Sequence, residues 1–159
     1  IAMKMHASRT VAGFVLSIAV WTAAVAAAYA ASAADSPVGL WKMIDDRSGN
    51  PRSLIRILER DGTYRGVIEK GLGPNDRDDS VCEKCPGPRK GQRLQGMAIV
   101  TGLAPSGDGV FAGGEILDPD DGKIYRCKIT LKDGGTKLDV RGYLGISLFG
   151  RTQTWLRVE

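Results

Sequence analysis

Three cysteines are the residues of this chain best suited to carry chemistry. Cys82 and Cys85 have the spacing Cys-x-x-Cys, and Cys127 lies in a segment of alternating polarity. In an oxidising compartment a disulfide is the default, with one thiol left over. Two pairings compete, a local bridge from Cys82 to Cys85 and a bridge that staples this region to Cys127. Thiol redox catalysis needs the first cysteine at a helix N-terminus, which Pro86 and Pro88 oppose.

Acidic residues form the next candidate group. The sequence Asp-Pro-Asp-Asp-Gly at 118–122 resembles the start of a calcium loop, but an EF-hand needs a glutamate at its twelfth position, where this chain has Ile129. Turn formation explains the cluster better. Acid–base catalysis would need two carboxylates in one place, such as Glu69 and Glu115, and their spacing does not indicate this. We therefore predict no catalytic residues, no metal site and no cofactor.

The N-terminal segment has the pattern of a secretory signal. Two basic residues precede an apolar run over 11–28 that ends in small residues. We predict a signal peptide over 1–33, apart from two leading residues ahead of Met3, and a periplasmic or secreted protein. A retained membrane anchor is the alternative, because the run is about long enough to span a bilayer. The small-residue end favours cleavage, which leaves no stable membrane anchor.

Removal of this segment changes which functions are open to the protein. Its one histidine, His6, lies within the segment, so the remaining chain can form no serine–histidine triad and no His-ligated zinc site. Two of the 22 basic residues and none of the 18 acidic ones lie there, which lowers the net charge from +4 to +2. This small charge predicts no nucleic-acid partner. Residues 34–159 are enough for one domain.

The remaining chain alternates in polarity with period two, which is typical of half-buried strands. In the best example, Tyr125, Cys127, Ile129 and Leu131 share one face and Arg126, Lys128 and Thr130 the other. Gly- and Asp-rich turns separate the segments. The pattern predicts eight strands, over 38–45, 53–60, 63–70, 96–103, 110–117, 123–131, 136–144 and 150–158.

Eight short strands joined by tight turns predict an all-β fold, an antiparallel up-and-down barrel that closes on itself. Residues 71–93 form a long loop or contain a short helix. A barrel of this size is either filled by its side chains or holds one small ligand. If it is hollow, the inward residues predicted to contact a ligand include four from two neighbouring strands, namely Tyr125, Ile129, Leu138 and Val140.

Three segments carry a family resemblance: GLW at 39–41, GGEILDPDDGKIYRCKITL at 113–131 and RGYLGISLFGRTQTWLR at 141–157. On these motifs the chain resembles the secreted bacterial proteins of the domain of unknown function 2147 family, over essentially all of 37–158. The resemblance implies a lipocalin-like barrel of the calycin type. The family brings no established activity.

The resemblance also implies how one barrel end closes. Lipocalins open their first strand with Gly-x-Trp, like Gly39 and Trp41 here, and an arginine of the last strand covers the tryptophan. Arg151 or Arg157 would take that role, and a cation on an indole face contributes about 0.5–2 kcal/mol. Trp155 is a further closure residue, and the absence of a side chain at Gly142 would let it pack closely.

The segment 142–155 combines glycines with a bulky apolar run. We interpret this segment as a structural element, in which Ile146, Leu148 and Phe149 cap or line one end of the barrel, rather than as a ligand-contacting lid. These three residues complete the predicted ligand contacts.

Three functional hypotheses follow. The first is an envelope protein that binds a small, largely apolar ligand, with the loop over 71–93 near the mouth of the barrel. The second is a partner-binding or structural protein of the envelope. The third, least favoured, is a thiol redox protein that uses Cys82 and Cys85.

Overall fold

The fold is an antiparallel β-barrel. The computed structural model describes residues 35–146 and 148–159, so the predicted signal peptide lies outside the described residues. Within them no helix is both long and apolar enough to cross a membrane. The eight strands are β1 (Gly39–Ile44), β2 (Pro51–Arg60), β3 (Thr63–Gly71), β4 (Ala98–Gly107), β5 (Val110–Asp118), β6 (Lys123–Lys132), β7 (Lys137–Tyr143) and β8 (Gly150–Arg157).

Each strand pairs with its neighbours in the chain, and β1 also pairs with β8. The sheet therefore closes and has no free edge strand. This confirms the predicted eight-stranded up-and-down barrel. The strand β4 starts two residues later than the sequence indicates and runs on to Gly107. Shifts of register interrupt the pairing of each strand from β1 to β5 with the strand that follows it, and such bulges increase the twist and bending that closure needs.

One end of the barrel is filled by a hydrophobic core. Trp41 and Trp155 are fully buried there, and the Tyr64 and Phe111 rings meet edge to face with centroids 4.8 Å apart. Other buried members are Ile55, Ile57, Leu103, Ile129 and Leu138. These are large inward side chains, which exclude water and account for most of the stabilisation from apolar burial. We call this the closed end.

Arg157 seals the closed end. Its guanidinium carbon lies 4.2 Å from the centroid of the Trp41 ring. The same group donates hydrogen bonds to the carbonyl oxygens of Ser36, Val38 and Gly135, at 2.7, 2.9 and 2.6 Å. It thus joins the segment before β1 to the turn after β6. Of the two arginines predicted for this role, Arg157 occupies it.

Arg151 lies near the opposite end of β8 and bonds Asp46 instead. The alternative that Arg151 covers Trp41 is therefore wrong. The reason is strand length, because six residues of extended chain separate the two arginines by about 20 Å. Both face inward, so each reaches the barrel interior at a different end.

The β3–β4 connection, residues 72–97, is the longest loop and is ordered by its own contacts. Val81 and Arg93 form an isolated antiparallel bridge, and a single 3₁₀ turn at Gly87–Arg89 stands where the sequence allowed a short helix. The loop packs on the β5–β6 turn so closely that a β-carbon on Gly122 would clash with the Lys84 carbonyl oxygen. Glycine is required there, so this turn and the loop are fitted to each other.

Candidate ligand-binding cavity

The end of the barrel opposite Trp41 is open. It leads into a cavity of about 810 Å³, bordered by the β1–β2, β3–β4, β5–β6 and β7–β8 loops. Pockets that bury a small organic ligand usually have volumes of about 300–1,000 Å³. Gly142 on β7 contributes to this space, because it has no side chain, whereas the inward position of β7 at the closed end is Leu138, paired with Trp155.

The wall of the cavity is mainly apolar. It is formed by strand residues that alternate inward, among them Met43, Ile68, Ile99, Ile116 and Val140. Ser53 and Gln153 are polar members of this wall, and Ser53 is only 6% exposed. Its hydroxyl has no hydrogen-bond partner within the described part of the chain. The Ser53 hydroxyl is therefore an unsatisfied polar group in a mainly apolar wall.

Charged residues surround the mouth in defined pairs. The Arg151 guanidinium donates to both carboxylate oxygens of Asp46, so it bridges β8 and the β1–β2 loop. Arg52 donates to both oxygens of Asp120, at 3.0 and 2.7 Å, and so joins β2 to the β5–β6 turn. The hydrogen bond from Arg151 is the main cause that lowers the pKa of Asp46. Both pairs join a loop at the mouth to a strand of the barrel.

Two further groups at the mouth, Asp118 and Tyr125, have pKa values that are raised by their surroundings. Burial raises the pKa of the Asp118 carboxyl. The hydrogen bond that its oxygen accepts from the Asp120 N–H, at 2.9 Å, has the smaller, opposite effect and lowers that pKa. The Tyr125 hydroxyl donates to Asp121 at 2.7 Å, and this bond raises the pKa of Tyr125 to about 12. The tyrosine is thus a neutral donor at physiological pH, and its ring lies between the apolar wall and the acidic turn.

The seven residues predicted from the sequence to contact a ligand do not lie together. Tyr125, Val140 and Phe149 line the cavity. Ile129 and Leu138 are almost fully buried in the closed end, where their neighbours leave no space for a ligand. The remaining two, Ile146 and Leu148, do not line the cavity and are largely exposed in the β7–β8 loop.

Gly142 has a different role from the one predicted. A β-carbon there would contact Ile116 and Tyr125, at 3.5 and 3.6 Å, and no atom of Trp155 is among its nearest neighbours. Trp155 lies opposite Leu138, further toward the closed end. The missing side chain therefore leaves volume in the cavity rather than allowing the tryptophan to pack closely.

The structure pairs Cys82 with Cys85 and leaves Cys127 as a buried thiol. The alternative staple to Cys127 is absent, because that residue faces inward on β6 while the loop packs on the β5–β6 turn. Both disulfide cysteines are at most 2% exposed. A buried disulfide whose first cysteine is not at the N-terminus of a helix is poorly placed for thiol exchange.

Burial raises the pKa of Cys127 to about 12, so we expect this thiol to be inert in the folded protein. Relative to an ordinary cysteine it holds about a thousandfold less thiolate. Ellman's reagent at pH 8 should detect no thiol in the native oxidised protein and one per chain in denaturant. Peptide mapping after alkylation in denaturant, without reduction, should place the label on Cys127. A label on Cys82 or Cys85 would contradict the pairing.

Sequence reasoning missed several residues of the cavity. Ser53, Ile68 and Ile116 continue the alternation of their strands, and assigning inward faces to β2, β3 and β5 would have found them. The pairing of Asp46 with Arg151 had no sequence signal, because 105 residues separate the two. Glu69 bonds Arg56 instead of meeting Glu115, and neither lines the cavity.

Comparison with known proteins agrees with this architecture. A family model described as "Uncharacterized protein conserved in bacteria (DUF2147)" matches residues 39–157. The chain is similar in structure to protein HP1028 from Helicobacter pylori, which is described as belonging to the lipocalin family. The two are 18% identical, with a TM-score of 0.68, over 78% of this chain and 84% of that one. No curated protein matches. The likeness shows a lipocalin-type fold.

Proposed function

Since the chain belongs to the DUF2147 family of bacterial proteins, whose sequence pattern here folds as a lipocalin-type barrel, we propose that it binds a small amphipathic molecule in its open end. We further propose that it does so in the periplasm or after secretion, as the N-terminal pattern predicts. The cavity of about 810 Å³ carries this proposal. A packed interior would have left only the surface for recognition.

The ligand's apolar part is proposed to occupy the strand-lined interior. Met43, Ile68, Ile99 and Val140 present hydrocarbon there, and the transfer of an alkyl or aromatic group from water to such a wall is favourable at about 25 cal/mol per Å². The unpartnered hydroxyl of Ser53 offers one hydrogen bond to a polar atom on that group.

A polar head is proposed to lie at the mouth. The rim holds Asp118, Lys70 and Arg47 as well as the paired charges of Arg52 and Arg151. An entirely apolar ligand would leave these groups in contact with hydrocarbon, which is unfavourable. The sequence leads us to expect a largely apolar ligand, and because of this rim we propose that the ligand also has a polar end.

Fluorescence titration with N-phenyl-1-naphthylamine, a neutral apolar probe, tests the proposal. We expect a saturable rise in emission with one probe bound per chain and a Kd in the micromolar range. Dodecylphosphocholine, dodecanoate and dodecylamine, each below its micellar concentration, should displace the probe, and their order reports the head charge that the rim prefers. Hexanol should displace it poorly because it buries less apolar surface.

A non-saturable signal, or a saturable one that no dodecyl compound displaces, would contradict binding in the cavity. Native mass spectrometry of protein from the bacterial envelope offers an independent check. A discrete adduct that is lost on denaturation would supply the natural ligand for identification.

A further inference from the structure

The β7–β8 loop carries a concentrated apolar surface that the cavity does not use fully. Leu144, Ile146, Leu148 and Phe149 are 61–75% exposed within six positions of the chain. Elsewhere in the described residues, the exposed large apolar side chains are no more than 50% exposed. Soluble proteins rarely keep such a cluster in water unless it contacts another apolar phase.

The shape of this cluster is a tip rather than a flat face. Gly145 has a φ of +70°, and the Phe149 N–H donates to the Ile146 carbonyl oxygen at 3.2 Å, so the chain reverses tightly there. Leu144 and Phe149 also border the cavity. Apolar surface is therefore continuous from the tip of the loop into the barrel.

Cations lie on the outer wall directly beside the loop. In the register of β6 and β7, Arg126 lies opposite Tyr143 and Lys128 opposite Arg141. The Arg141 guanidinium donates to the Leu148 carbonyl oxygen at 3.1 Å, which fixes a positive charge at the base of the tip. Glu115 lies opposite Arg126 in the register of β5 and β6, but within the described parts of the chain neither Arg126 nor Lys128 forms an ion pair with a carboxylate.

We infer that this end of the barrel docks reversibly on a bilayer that contains anionic phospholipid. The four apolar side chains enter the acyl boundary, while Arg126, Lys128 and Arg141 remain at the level of the phosphates. Apolar tips with adjacent cations are the chemistry of interfacial binding, in which buried area and attraction to anionic lipid act together. A second protein copy would need a self-complementary face, whereas a narrow tip suits a fluid phase that it can enter.

Docking goes beyond the proposed ligand binding and does not depend on it. The test is sedimentation of the purified protein with vesicles of phosphatidylethanolamine and phosphatidylglycerol. We expect saturable binding that is several-fold weaker on phosphatidylcholine vesicles and falls with added salt. The double variant I146S/L148S should bind at least about tenfold more weakly, because two exposed apolar groups that do not line the cavity are removed from the tip. Removal of charge in R126Q/K128Q should weaken binding several-fold and reduce its salt dependence.

The matched control is V38S/V158S, which removes two exposed apolar side chains at the closed end. It should bind vesicles like the unmodified protein. Circular dichroism checks that each variant folds, and the probe titration separates docking from ligand binding because it uses no lipid. Absence of vesicle binding, or equal binding by I146S/L148S, would overturn the inference. So would self-association through the loop, measured by light scattering, without binding to vesicles.

Discussion

Replacement of Arg157 by alanine should lower the free energy of unfolding by about 2–4 kcal/mol. The substitution removes a cation from the face of Trp41, worth about 0.5–2 kcal/mol, and the donors that satisfy three carbonyl groups at the closed end. Carbonyl groups left without donors add the cost of their desolvation. Urea denaturation followed by the fluorescence of the two buried tryptophans measures the change.

Two control variants separate the geometry of Arg157 from its charge. Arg157→Lys keeps a cation but loses the planar group that donates in three directions, so it should recover less than half of the loss. Arg60→Ala removes a guanidinium whose side chain is 81% exposed, and it should change stability by no more than about 0.5 kcal/mol. If Arg157→Ala were as mild as Arg60→Ala, the closed end would not depend on this residue.

The barrel could be predicted because each strand carries its own evidence. In β6 and β7 every second residue is apolar, and the same alternation reappears as the inward face after folding. Tight turns between such strands favour an antiparallel meander, and eight of them can close. The resemblance to lipocalins added the role of an arginine over Trp41, which alternation alone does not contain.

The open end could be predicted only in part, because it depends on loops. The alternation places Leu138 and Val140 on the same inward face of β7, yet Leu138 lies only in the packed core, while Val140, which is also buried, borders the cavity. What distinguishes them is their position along the barrel axis and the size of the side chains across from them. The register of the strands and the closure of the barrel determine both of these, and the alternation of polar and apolar residues specifies neither.

The charged rim of the cavity could not be predicted from the sequence, for a related reason. The pairs of Arg151 with Asp46 and Arg52 with Asp120 connect residues far apart in the chain. Charged residues are common in Gly- and Asp-rich turns, and they stabilise such a turn equally well when it simply faces solvent. Only the closed sheet brings these turns to one end, and only then does a charged mouth above an apolar interior become apparent.

The substitution Gly142→Leu should weaken probe binding at least about a hundredfold while the barrel stays folded. Gly142 faces the cavity, and its β-carbon would make ordinary contacts of 3.5 and 3.6 Å with Ile116 and Tyr125. The rest of a leucine side chain must then extend into space that the ligand would occupy, at a cost of about 3 kcal/mol or more. Titration with N-phenyl-1-naphthylamine gives the loss of affinity, and thermal melting gives the stability of the variant.

Gly142→Ala is the matched control, because its single methyl group fits the existing contacts and should leave probe affinity within about threefold. If Gly142→Leu fails to fold, Val140→Phe offers a second way to fill the same cavity from the same strand. Leucine in apolar space should maintain or raise the melting temperature, since it buries hydrocarbon without leaving a polar group unpaired. A folded Gly142→Leu protein with undiminished affinity would place the probe outside the cavity, and ligand binding in the open end would have to be abandoned.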